Sequence, residues 1–230
     1  MNPLPTVVIS AAGRGTRMGQ AMPKCLIRIL EKPLIHWQLN AVEAFPKVIV
    51  AVGFRAAEVI AAVRAIRPDA EFVSNHEYET TGTAASLSLA LALVQGPAVS
   101  LDGDLLVHPA DLLALAGGQT PSLAVCDVQS LAPVLTSIET AADGGLQATA
   151  FHHGEPTPVT TGMLMEWTGL VTIDPRAHPL SGRGHVYQMI SPLLPCRAVR
   201  VRCREIDYPA EVPLMESWLR PLIDRKIFRG

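Results

Sequence analysis

Thr6-Val-Val-Ile-Ser-Ala-Ala-Gly-Arg-Gly-Thr-Arg-Met-Gly-Gln-Ala-Met-Pro-Lys-Cys-Leu26 is the stretch around which the chain is organised. It opens as a short apolar run, Val7 to Ala12, which reads as a buried first strand. The run breaks into Gly13-Arg14-Gly15-Thr16-Arg17. Two glycines let the backbone turn sharply and bring its amides close to a ligand. Arg14, Arg17 and Lys24 add positive charge, and Pro23 keeps a long helix from starting at once. A strand running into a glycine-rich loop with three cations points to a cradle for polyphosphate.

Two better-known loops are excluded. A dinucleotide fingerprint needs G-x-G-x-x-G with a helix opening inside it, but here Gly19 comes one residue late and Met22-Pro23 interrupts. The second strand ends in Gly53-Phe54-Arg55, without an acid for a ribose. A phosphate loop of the Gly-Lys-Ser/Thr type is absent. A redox nucleotide-binding protein is thereby disfavoured.

The chain has 230 residues, 49% of them hydrophobic, enough for a sizeable core in one large domain or one domain with an insertion. A formal charge of -2, with no basic run, gives no reason to expect nucleic acid as a partner. The apolar runs are too short to span a membrane, and Met1-Asn-Pro-Leu-Pro5 lacks the positive region of a signal peptide. Cys25, Cys126, Cys196 and Cys203 are scattered, as reduced cytosolic thiols would be. A cytoplasmic protein is expected.

Leu34 to Phe45 reads as an amphipathic helix with Leu34, Trp37, Leu39, Val42 and Phe45 facing the core. A strand at 47–52, a helix at 55–66 and a short strand at 71–73 follow. This alternation predicts an α/β, Rossmann-like, mostly parallel sheet with helices on both faces. Gly82-Thr83-Ala84 opens a helix, with Ser86 just inside it, so that amides and hydroxyls are available there or simply cap the helix. The next strand ends in Asp102-Gly103-Asp104, where open α/β sheets bind ligands and where paired carboxylates suit a hard divalent cation. Asp143-Gly-Gly145 between two apolar runs predicts a β-hairpin insertion on the acceptor side. His152-His153 has no metal-ligand spacing. Glu166 to Ile173 is a strand, and Ser181-Gly-Arg-Gly-His185 is either a flap or a flexible connection. A last strand, 196–203, leads to Glu205-Ile-Asp207-Tyr-Pro209 and a C-terminal helix. That helix, with Trp218, Leu222 and Ile227, packs on its own domain or on a second copy in a homodimer.

The stretch Ala11-Ala12-Gly-Arg-Gly-Thr-Arg-Met18 with Pro23-Lys24-Cys-Leu26 resembles the signature of nucleotidyltransferases with the sugar-phosphate nucleotidyltransferase fold. Within that family the chain looks like the compact cytidylyltransferases for phosphocholine, inositol phosphate or phosphonates. The resemblance covers most of the chain. It implies one nucleotidyltransferase domain over 1–230, with 1–127 as the nucleotide-binding half and 128–230 as the acceptor-binding half. The implied partners are a nucleoside triphosphate and a small phosphorylated or phosphonate acceptor, and the implied cofactor is Mg²⁺. By resemblance Arg17 and Lys24 are catalytic. Ala11, Ala12, Gly13, Arg14, Gly15, Thr16, Gly82, Thr83, Ser86 and Asp102 bind the nucleotide. Asp104 and Asp207 hold the metal, and Glu166, Trp167 and Arg183 bind the acceptor. Many relatives carry a second lysine near the acceptor. This chain has none between Lys47 and Lys226, and Arg183 or another arginine is expected to stand in. Sugar-1-phosphate uridylyl-, thymidylyl- or guanylyltransferases are the enzymatic alternative, and a non-catalytic nucleotide-binding regulatory module is the alternative of another class.

Overall fold

A computed structural model describes residues 3–19, 22–131, 133–153 and 162–229. The first half alternates as its periodicity predicts. Strand β1 (Thr6–Ala11) enters the glycine loop, and a small ribbon of β2 (Arg28–Ile29) and β3 (Lys32–Pro33) precedes helix α1 (Leu34–Ala41). Then come β4 (Val48–Val52), α2 (Ala56–Arg64), β5 (Glu71–Ser74), α3 (Tyr78–Leu91) and β6 (Ala98–Asp102). Short strand β7 (Leu105–Val107) leads to α4 (Pro109–Ala116), which starts with proline at the position where no amide partner is needed. The second half holds β8 (Ser122–Cys126), β9 (Leu135–Thr140), β10 (Leu146–His152), β11 (Met163–Ile173), α5 (Val186–Ile190), β12 (Cys196–Arg200), β13 (Cys203–Glu205) and α6 (Val212–Asp224).

Nine strands form one sheet in the order β5-β4-β1-β6-β11-β8-β12-β10-β9. The quartet β5-β4-β1-β6 is wholly parallel. Its strands are apolar on both sides because helices cover both faces. Val48, Val50 and Val52 meet α1, α2 and α4, whereas Ile49 and Ala51 meet α3. Beyond β6 the pairing changes. β11 runs antiparallel to β6 through 171–173 and, on the same edge, to β9 through 163–166. The pairings β11–β9, β9–β10, β10–β12, β12–β8 and β8–β11 close into a ring. The hairpin β9–β10, turned at Asp143-Gly144-Gly145, belongs to this ring.

Three boundaries depart from the sequence pattern. The helix expected to open at Gly82 starts earlier, at Tyr78, and is broken by Gly82 at φ 74 and ψ -178. The strand expected over 196–203 is two strands, because β13 leaves the main sheet to pair antiparallel with β7. The helix beginning at Leu34 ends at Ala41, and Val42 and Phe45 are buried from the turn that follows. Trp218 and Leu222 of the C-terminal helix, with Ile227 just after it, pack on a cluster containing Leu34, Trp37, Ile206, Met215 and Phe228, whereas Leu214 is exposed.

One buried polar residue connects this scaffold to the loop after β6. Gln38 on α1 is fully buried, and its Nε2 donates to the carbonyls of Asp102 at 2.8 Å and Leu105 at 2.7 Å. Gly103, between them, is obligatory on steric grounds, since a Cβ there would lie 2.6 Å from the Ser10 carbonyl oxygen. Replacing Gln38 with Leu strands two buried carbonyls, each worth about 1–3 kcal/mol. Urea unfolding of Gln38→Leu should show a stability loss of at least that size, with no change in the slope of the transition.

Candidate active site

The carboxyl ends of β1 and β6 open into a cleft of about 320 Å³. Gly13, Gly15, Thr16 and Arg17 line one side. Gly15 adopts a left-handed conformation (φ 60), and a Cβ there would lie 2.8 Å from the Cγ of Lys24. The glycine thus lets the lysine stem lie flat against the loop. The amides of Gly13, Arg14 and Gly15 donate to no backbone carbonyl among the described residues, which leaves them free for an anion.

Facing the loop is a knot of acids. Asp104, Glu205 and Asp207 each present a carboxylate oxygen, all within 4.8 Å of one another. The ribbon β7–β13 creates this meeting: Glu205 pairs with Leu105, and the Ile206 amide donates to the Asp104 carbonyl at 3.1 Å. Asp207 is fixed in turn by Glu211, whose Oε2 accepts from the amides of Asp207 and Tyr208 at 2.6 and 2.8 Å. Lys24 Nζ donates to Asp104 Oδ2 at 2.7 Å and also to Asp207 Oδ1, while Arg17 Nη1 donates to Asp207 Oδ2.

These contacts shift the titrations. Burial opposes the charge of Lys24, but Asp104 and Asp207 more than offset it and hold the ammonium well above the ordinary lysine range. Burial, with the negative charge of Asp104 next, pushes Asp102 up to about 8. Burial together with Asp104, Asp207 and Asp102 raises Glu205 well above the usual carboxylate range. Three hard oxygen donors within one coordination distance suit a divalent cation such as Mg²⁺. Asp104 Oδ1, moreover, is buried with no hydrogen-bond partner, as an oxygen intended for a cation would be.

Among the nucleotide-binding candidates, Ala11, Gly13, Gly15, Thr16, Thr83 and Asp102 line the cleft, along with Arg17 and Lys24. Others lie elsewhere. Ala12 is buried, and its carbonyl accepts from the Phe54 amide at 3.0 Å. Arg14 points outward to Glu79 at 3.0 Å and over the Phe54 ring. Ser86 is buried behind the cleft, where its Oγ meets Asn75 Nδ2 at 2.9 Å. Gly82 does not line the cleft but anchors the 181–185 loop. The Gly184 amide donates to the Thr81 carbonyl at 2.9 Å, and the Gly184 carbonyl accepts from the Ala84 amide at 3.0 Å. A Cβ on Gly82 would lie 2.3 Å from that Gly184 oxygen. The loop is thus laced to α3.

At the acceptor end, Glu166 and Trp167 line the cleft and Arg183 does not. The guanidinium of Arg183 is exposed and pairs with Glu77 at 2.8 Å. Glu166 is buried and committed to its neighbours, its Oε2 accepting from the amides of Gln129 at 2.7 Å and Ser130 at 3.1 Å and its Oε1 from the Ser130 hydroxyl. Residues not expected from sequence complete this end. The rings of His153, His185 and Tyr187 stack at 5.6–6.2 Å between centroids beside Trp167. Gly169, at φ 81 in the bulge of β11, makes room for Asp102, since a Cβ there would lie 2.4 Å from Asp102 Oδ2. Glu205 was legible in principle: two residues before Asp207, it falls on the same side of an extended segment.

Two outcomes follow from this electrostatics. Glu205, raised well above the usual carboxylate range, must lose its proton to take a cation, so Mn²⁺ affinity should keep climbing with pH beyond the range in which an ordinary carboxylate titrates. Without nucleotide, Lys24→Met should bind Mn²⁺ severalfold more tightly than the wild type, because the ammonium already sits on two of the three carboxylates. Titration followed by electron paramagnetic resonance reads both.

Known proteins share this fold and part of this sequence. The bifunctional protein GlmU of Burkholderia mallei is 35% identical over 117 residues, half of this chain but only a quarter of that relative's length. The inositol-1-phosphate CTP transferase of T. maritima superposes with a TM-score of 0.74 at 16% identity, covering all of this chain and 98% of the other. The CTP:phosphocholine cytidylyltransferase LicC of Streptococcus pneumoniae gives 0.70 at 15% identity over 94% of this chain and all of its own. A UDP-glucose pyrophosphorylase complexed with UDP-glucose gives 0.75 at 16% identity, over 95% and 99%. Residues 7–156, from the first strand through the hairpin, match the MobA-like NTP transferase domain, and the chain belongs to that family.

Proposed function

We propose that this chain, acting as one nucleotidyltransferase domain, joins a nucleoside triphosphate, CTP in the first instance, to a small acceptor bearing a phosphate or phosphonate. The observation that carries the reading is the meeting of Arg17 and Lys24 with Asp104, Glu205 and Asp207 beside a loop with free amides. Cations and acids in such a knot match the two halves of the reaction: anionic phosphates to hold, and a metal–phosphate complex to seat. The choice of CTP is supported by the fold shared with two enzymes whose substrate is CTP.

An oxygen of the acceptor phosphate forms a bond to the α-phosphorus, and the bond to the bridging oxygen of the β-phosphate breaks. Pyrophosphate leaves with that electron pair. The nucleophile is already anionic, so no general base is needed, and catalysis is positioning plus charge neutralisation. The amides of Gly13 to Gly15, with Arg17, hold the β- and γ-phosphates. Lys24 moves from the carboxylates to the charge developing at the α-phosphate. Asp104, Glu205 and Asp207 would hold Mg²⁺, which would supply Lewis-acid charge neutralisation when bound. Thr83 faces the nucleoside, and Asp102, kept in place by Gln38 and Gly169, faces its sugar. The rings of Trp167, His153, His185 and Tyr187 form the wall against which the acceptor packs.

The test is pyrophosphate release with Mg²⁺, crossing CTP, UTP, GTP, ATP and dTTP against phosphocholine, aminoethylphosphonate, inositol-1-phosphate and hexose-1-phosphates. One active pair is expected, with CTP as donor. Lys24→Ala and Asp104→Ala should each lower kcat by about 10²–10³, the usual cost of removing one charge-stabilising group. A hexose-1-phosphate with UTP, dTTP or GTP would move the assignment to the sugar-nucleotide branch. Undiminished turnover in either variant would overturn the mechanism.

A further inference from the structure

Behind the acid cluster lies a second cleft, of about 640 Å³, lined by Arg200, Arg202, Arg204, Gln129 and Trp218, among others. It backs onto the first through β13. Successive residues of a strand face opposite ways, so Glu205 lines the first cleft and Arg204 the second.

Its charges do not balance. Arg200 pairs with Asp127, and Arg202 pairs with Asp111 through Nε at 2.8 Å and Nη2 at 2.7 Å. Arg204 has no hydrogen-bond or ion-pair partner among the described residues, and its Nε is buried. A buried donor without an acceptor is costly, and the rest of this half-buried guanidinium is left open to the cleft. A guanidinium fork matches the oxygens of a phosphate in shape and charge. The cleft has the size of small-molecule sites, which run to about 300–1,000 Å³. Three arginines against two aspartates leave a surplus positive charge at Arg204, and Trp218 supplies an aromatic surface beside it.

We propose that this cleft is a second anion site, in which Arg204 binds a small phosphate-bearing molecule. The site lies next to the machinery without being part of it. Gln129 spans the wall between the clefts, its Nε2 donating to the Cys203 carbonyl at 3.3 Å and its amide to Glu166 at 2.7 Å.

The indole N–H resonances of Trp37, Trp167 and Trp218 allow each region to be followed in the intact protein by nitrogen-edited NMR. Inorganic phosphate, pyrophosphate and CMP are titrated without metal into the wild type, Arg204→Met, Arg204→Lys and Lys24→Ala. Expected is a saturable Trp218 shift that Lys24→Ala leaves within twofold in Kd and that Arg204→Met weakens at least fivefold. Tighter binding of phosphate or pyrophosphate than of CMP marks free phosphate as the ligand, and the reverse marks a nucleotide. If Arg204→Met fails to fold, Arg204→Lys, which keeps the charge and loses the fork, carries the same fivefold criterion. The proposal falls if Trp218 shifts with none of the three anions, if the Arg204 variant that folds binds less than fivefold more weakly, or if Lys24→Ala abolishes the shift.

Discussion

Four carboxylates, Asp102, Asp104, Glu205 and Asp207, converge at one end of the sheet, and the surrounding structure is arranged to tolerate them. Two like charges 4 Å apart repel by about 4 kcal/mol at an effective dielectric constant near 20. Left alone, such a group would push the ends of β6 and β13 apart. Three devices oppose that. The β7–β13 ribbon and the Ile206–Asp104 backbone bond tie the two acid-bearing segments together. Gln38 from below and Glu211 from the side hold the peptide groups that carry them. Lys24 and Arg17 neutralise the cluster from the glycine loop. The raised proton affinity of Asp102, pushed up to about 8, and of Glu205 is the remaining part of the same balance.

That arrangement joins stability to function. Both signs of charge are held at one place, and each neutralises the other. Glycines at 15, 103 and 169 serve this economy of space. Each lets a charged group or a loop lie where a side chain would stand: the stem of Lys24, the turn between Asp102 and Asp104, and the carboxylate of Asp102 itself.

The two ends of the cleft are built differently. At the nucleotide end, one strand and its loop supply most of the groups. The acceptor end is assembled from the β-ring, from the residues before α5 and from the loop laced to α3. Gly82 and Gly184 meet at backbone distance there, so the loop and the helix start are one unit. Arg183 is used in that fastening, through Glu77, and Glu166 is used to hold the 129–130 segment. The stacked rings of His185 and Tyr187 are left to line the cleft.

Local chemistry made the first half of the chain legible. Apolar runs of strand length, helices with one buried stripe and a glycine loop bearing cations are short-range patterns, and each residue's role depends on neighbours a few positions away. The parallel quartet, the helices on both faces and the hairpin at Asp143-Gly-Gly145 could be read this way, as could the glycine loop after the first strand and the Asp102-Gly-Asp104 turn at the end of β6. What the amino-acid order could not show is whatever depends on separate segments meeting. Glu205 and Asp207 reach Asp104 only because β13 leaves the main sheet for β7, and no local pattern encodes that choice. Arg183 and Ser86 looked available in sequence, yet one is tied to Glu77 and the other is buried against Asn75. Gln38 gives no signal of its own in the sequence, yet it holds the acid loop from inside the core. The sequence alone showed the charged groups of the glycine loop and of the strand ends, but not the histidine and tyrosine rings that line the other end of the cleft. The tertiary structure decided which of them are free to act, because a charged or polar side chain is spent or available according to the partner that packing brings to it.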